Sequence, residues 1–129
     1  MMLDNEGLLR LLRRIADSVA KAIKVASGGK PDEAIEALRA LCLSELGMEL
    51  SVLSMLDAKS AVDLLGSHQR VLAFVTIVEA IADIEQVRDP QRALKRYQQI
   101  FHVAATLQER DGSKQPLVEI VARLLQRIS

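Results

Sequence analysis

Apolar residues recur at spacings of three and four along most of the chain, with charged residues between them. That period marks helices burying one face. In residues 8–26, Leu8, Leu11, Leu12, Ile15, Val19, Ala22, Ile23 and Ala26 share one stripe. Arg10, Arg13, Arg14, Asp17, Lys21 and Lys24 take the other side. Gly28 and Gly29 end this predicted helix, because glycine accepts the left-handed backbone of a C-cap. Pro31 suits a first helical turn, and Asp32 and Glu33 suit the positive end of the next helix. Its stripe of Ala34, Ile35, Leu38, Leu41, Cys42 and Leu46 runs to Gly47.

Residues 48–56, MELSVLSML, are apolar enough for a short helix or an irregular stretch. Asp57 or Ser60 is the N-cap expected for the next short piece, Ser60 and Asp63 resembling a capping box, with Gly66 closing it. Residues 68–88 carry Val71, Leu72, Phe74, Val75, Ile77, Val78, Ile81, Ile84 and Val87 on more than one face. A helix apolar on several sides is central in its fold. The β-branched content would suit a strand, but about twenty residues is helix length. Asp89 caps the following helix and Pro90 opens it. The stripe there is Ala93, Leu94, Tyr97, Ile100, Phe101, Ala104 and Leu107. After ERDGSKQP, with Ser113 a candidate cap, Leu117, Ile120, Val121, Leu124, Leu125 and Ile128 form a last seam. No linker divides the pattern. The expectation is one all-α domain over residues 1–129, an array or bundle of five main helices with one or two short ones.

Composition narrows the chemistry. Half of the 129 residues are hydrophobic but only 2% are aromatic, so the core is aliphatic. Phe74, Tyr97 and Phe101 are too few for a platform that stacks bases or sugars. Net charge is zero, which gives no global pull toward nucleic acid or membrane. The charges are nevertheless segregated. Residues 8–30 hold six bases and one acid, residues 31–63 seven acids and two bases, and residues 90–129 seven bases and three acids. A lone cysteine, Cys42, makes no internal disulfide and suits a reducing compartment. The N-terminal stretch lacks the order of a signal peptide, and no apolar run approaches a membrane span. A cytoplasmic protein is expected.

GGKPDEAIEALRAL and DIEQVRDPQRALKRYQQI resemble each other and the turn and second helix of a tetratricopeptide repeat. Pro31 and Pro90 are 59 residues apart, and Ala34, Ile35 and Leu38 correspond to Ala93, Leu94 and Tyr97 at the same offset. That period is longer than the 34-residue unit of those repeats. Ser18 and Lys21 stand where the repeat has large apolar residues. The later half also resembles small bacterial helical proteins of unknown function with one tetratricopeptide-like hairpin. The resemblance implies hairpin packing, with Ala34 and Ala93 admitting a close helix, and brings no catalytic residues.

Motifs for chemistry are sparse. SGGKP has the Gly-Lys of a phosphate loop but follows a helix and leads into proline. His68 and His102 lack the Glu-x-x-His spacing of di-iron bundles. Glu79 and Asp83, four apart, share a helix face, and with His102 they form the one candidate ligand-binding or enzymatic set. The commoner reading of such a pair is the solvated face of a central helix. Cys42 lies in the apolar stripe and reads as a small hydrophobe. No metal or other cofactor is expected.

The function expected is therefore a non-enzymatic helical scaffold that binds a protein of unknown identity or itself. Ala80, Ala93, Ala104 and Ala105 would leave room for a groove. The candidate interaction surface is the basic side of the first helix, Arg10, Arg13, Arg14, Lys21 and Lys24, together with the seam residues Leu117, Val121, Leu124 and Ile128. A homodimer through that seam is expected. A third reading makes the basic helix an adaptor for a membrane surface or nucleic acid; the acidic segment could instead neutralise those bases within the fold.

Overall fold

The computed structural model describes residues 2–112 and 115–129, with side chains from 10–112 and 117–129. Among these residues there is no strand. The helices are α1 (Met2–Ser27), α2 (Pro31–Leu46), α3 (Leu50–Ser54), α4 (Ala58–Leu65), α5 (His68–Glu85), α6 (Pro90–Asp111) and α7 (Gln115–Ile128). The described residues are thus all-helical, in seven helices, two of them short ones within residues 48–66. The expected Ser113 cap lies outside the described residues.

Helix ends follow local chemistry. Pro31 and Pro90 open α2 and α6, and Gly47 and Gly66 close α2 and α4 in the left-handed conformation. Asp57, rather than Ser60, caps α4 by accepting from the Ser60 amide at 2.7 Å. Ser67 and Asp89 do the same for α5 and α6.

The central helix is α5, packed against α1, α2 and α6. Its residues Val71, Ala73, Phe74, Ile77, Val78, Ile81 and Ala82 are fully buried, which accounts for a segment apolar all round. The pattern overreached at Val87. It lies beyond the end of α5 and is 91% exposed. Around α5 the helices alternate in direction. Arg14 early in α1 meets Glu45 late in α2, and Arg88 just after α5 meets Asp32 at the start of α2. The alternation continues to α7, which runs parallel to α5, since Glu79 and Asp83 meet Arg123 and Arg127 in the same order.

Small residues set how closely the helices approach. Ala34, Ala93 and Ala104 have no exposed surface, and Ala80 is buried as well. The room that Ala80, Ala93 and Ala104 were expected to leave for a groove is taken up by neighbouring helices; Ala105 is half-buried. Arg70, in the first turn of α5, ties three elements together. Its guanidinium donates to the Leu65 carbonyl at 2.8 Å and the Leu46 carbonyl at 2.5 Å. These are terminal carbonyls of α4 and α2, where a cation also meets the negative end of each helix dipole.

Candidate functional site

Two polar clusters and one apolar cleft surround α5 and α6. The first cluster joins α5 to α7. Arg123 grips Glu79 with both arms, at 2.8 and 2.7 Å. Arg127 lies 3.1 Å from Asp83 and stacks over the Tyr97 ring, 5.3 Å from its centre. The Tyr97 hydroxyl donates to Asp83 and accepts from Arg127. Burial, then the hydrogen bond to Asp83, raises the tyrosine pKa well above its usual value. Glu79 is buried despite its charge. Glu79 is therefore covered rather than solvated, while the Asp83 side chain stays 37% exposed; Arg123 engages the first, and Arg127 and Tyr97 the second. His102 does not join it. Five residues beyond Tyr97, it points about 140° away around α6, where it is exposed and edges against Phe101. The candidate set of Glu79, Asp83 and His102 is not assembled.

The apolar cleft lies where the C-terminal ends of α1 and α5 meet the start of α2. Ile23, Ala26, Pro31, Ile84 and Val87 line a hollow of about 570 Å3. Its two charged neighbours are engaged elsewhere, Asp83 by Tyr97 and Arg127, and Arg88 by Asp32. What faces solvent is mostly carbon, with Ile23 44% exposed and Val87 projecting at the rim.

The second polar cluster was not foreseen. Arg39 of α2, Ser51 and Ser54 of α3, and Arg92, Lys95, Arg96 and Gln99 of α6 line a groove of about 440 Å3. Arg92, Lys95 and Arg96 stand three and four residues apart, a face that helical spacing does show. No local signal brings Arg39 to them; that takes the packing of α2 and α6 about the same central helix. His68 and Asp111, 2.8 Å apart, join the start of α5 to the end of α6, again across a long sequence interval.

The expected interaction residues divide. Arg10, Arg13, Arg14, Lys21 and Lys24 are all exposed on α1. Part of their charge is met within the fold, as the Arg14–Glu45 pair shows, and Asp32 and Asp63 of the acidic segment likewise meet Arg88 and Arg110. The seam is spent internally. Leu117 and Leu124 are fully buried, Val121 and Ile128 are half-buried against the core, and Leu125 is an exposed large apolar residue of α7. Cys42 is buried, and desolvation pushes its thiol up to about 11. No helix among the described residues is long and apolar enough to cross a membrane, and no three of their His, Cys, Asp or Glu side chains converge as a metal site. Comparison with protein-family models, curated proteins and solved structures finds no match.

Proposed function

We propose that the chain is a non-enzymatic helical scaffold, and that an apolar segment of a partner protein docks in the cleft between α1 and α5. The observation that carries this is Val87, an aliphatic side chain 91% exposed at the rim of an apolar hollow whose charged neighbours are already paired. Apolar surface of this kind, gathered at a concavity, marks interaction sites. The reading takes α1/α2 and α5/α6 as two tetratricopeptide-like hairpins. Stacked helix pairs of that type bind partners along concave surfaces, and the cleft lies between the first helices of the two pairs. Glu79 and Asp83 then serve to hold α7 rather than to do chemistry.

Selection of short peptides on the immobilised protein tests the reading. Apolar peptides should emerge, and Val87→Asp and Ile23→Asp should abolish their binding while Leu125→Asp leaves it intact. Selected peptides that bind the two cleft variants as well as the parent would overturn it. Pairing of two copies, the homodimer form of the scaffold, would appear instead as a doubled mass that the cleft variants halve.

A further inference from the structure

We propose that the groove between α2, α3 and α6 binds a small phosphate-bearing ligand with at least two negative charges. The groove shares no lining residue with the apolar cleft, so the inference is independent of the scaffold reading. Its volume of about 440 Å3 lies within the range of roughly 300–1,000 Å3 common for small-ligand sites.

Four cations line it, Arg39, Arg92, Lys95 and Arg96, and no acidic side chain does. Behind them the buried Glu85 is shared by Arg96 and Arg92, the latter at 3.4 Å. One carboxylate cannot neutralise two guanidinium groups. Arg39 reaches Glu36 on its own helix only at 3.9 Å. Lys95 has no carboxylate within salt-bridge distance among the described residues, while Glu36 and Glu49 line an adjoining hollow of about 250 Å3 that shares Arg39 and Leu50 with the groove. Like charges gathered from two helices repel one another, and a bound anion offsets that repulsion.

The groove's chemistry ranks the anions. A single carboxylate would leave most of the positive charge unmatched. Phosphate oxygens fit the guanidinium fork in pairs, and a lysine adds a point charge. The hydroxyls of Ser51 and Ser54 add neutral donors on the α3 wall. Arg96 is held ready by Glu85, with a side chain only 12% exposed, so little rotamer freedom is lost on binding. Leu50 and Leu56 give apolar wall for an organic group attached to the phosphate. No aromatic side chain lines the groove, which leaves a nucleic-acid strand without a stacking surface.

Calorimetric titration with inorganic pyrophosphate, at fixed ionic strength, tests the site. The parent protein should bind, and melt at higher temperature with pyrophosphate present. Lys95→Gln and Arg39→Gln should each weaken binding by about tenfold or more, the loss of one charge-assisted contact. Both positions are open to solvent, and melting of the free variants verifies their folding. Lys21→Gln on α1 should bind as the parent does. A nucleoside diphosphate binding more tightly than pyrophosphate would identify an organic phosphate ester as the occupant. The reverse order would identify inorganic phosphate, and either order upholds the site. Absence of binding at millimolar pyrophosphate would overturn the proposal, as would binding that both groove variants leave unchanged. A single-stranded oligonucleotide bound more tightly than pyrophosphate per phosphate would also overturn it, in favour of a nucleic-acid surface.

Discussion

Arg70 shows how one side chain can close several helix ends. The terminal carbonyls of α2 and α4 have no partner within their own helices, and Arg70 answers one of each from the first turn of α5. Arg70→Met keeps much of the stem but leaves both carbonyls unmatched. It should cost about 3 kcal/mol, the scale of two hydrogen bonds from a charged donor. Arg70→Lys should recover only part of that, because an ammonium lacks the planar fork that spans both acceptors. Urea unfolding measures both, and an unchanged midpoint for Arg70→Met would mean that water serves those carbonyls equally well. Cys42 is the opposite case, a reactive group made inert by its place. Burial raises its pKa from 9.0 to about 11, so the thiolate that reacts with electrophiles is scarce and covered. Iodoacetamide at pH 8 should label Cys42 far more slowly in the folded protein than in urea. Because the folded value is the higher one, the thiol's contribution to stability is complete below about pH 9 and is lost as pH rises toward 11. Cys42→Ala should flatten that alkaline limb of the stability curve, and a limb of unchanged slope would assign it to other groups.

At the scale of elements, α7 is held by two unlike means. Leu117 and Leu124 bury fully, each worth roughly 1.5–3 kcal/mol of transfer free energy. Arg123 and Arg127 meet Glu79 and Asp83 across the helix boundary. Arg123 is half exposed, so its pair is discounted for solvent, but its loss strands a carboxylate that is 8% exposed. Arg123→Ala should therefore cost about 1–2 kcal/mol, and adding Glu79→Gln should restore part of it. Hydrogen exchange should rise in α7 before α2 in the single variant; equal rises in both helices would mean that α7 does not open as a separate unit. The all-helical character was legible from periodicity, because a helix that buries a stripe against its neighbours shows it at spacings of three and four whichever neighbours those are. The same stripes could not tell α5's true end, since Val87 keeps the register while the backbone has already left the helix. They also could not tell whether α7's seam faced its own chain or another. The Glu79 and Asp83 face was visible in the sequence, but its partners were not, because Arg123 and Arg127 lie about forty residues away and nothing local marks the match. The basic groove was half visible for the same reason, with three cations on one helix and the fourth on another.

For the whole molecule, the balance of exposed apolar surface decides how copies of the chain meet. A homodimer through the α7 seam needs apolar residues there that the chain itself leaves open. On α7 the cover is in place, with Leu117 and Leu124 at zero exposure and Val121 and Ile128 against the core. On α1, Ile15 and Ala22 are buried, and Ile23 and Val25 project outward instead. The other exposed large aliphatic residues among the described ones, Leu43, Val52, Met55, Leu64, Leu94 and Leu125, are spread from α2 to α7, and none of them lines the cleft. Stable twofold interfaces bury a contiguous core of about 800 Å2 per partner, and the cleft around Val87 is the place where apolar side chains gather at a hollow. A concave surface is a poor match for itself, because twofold pairing sets each patch against its own copy. It suits a narrower segment of another protein. Light scattering at micromolar concentration should therefore give a mass near 14.2 kDa. Val87→Asp should leave that mass unchanged and improve solubility, whereas Leu124→Asp should unfold the chain, since a carboxylate there has no route to water. A mass of twice that value, restored to the monomer by Val87→Asp, would make a second copy the occupant of the cleft. A dimer that survives Val87→Asp would place self-association on another face and leave the cleft free for its partner segment.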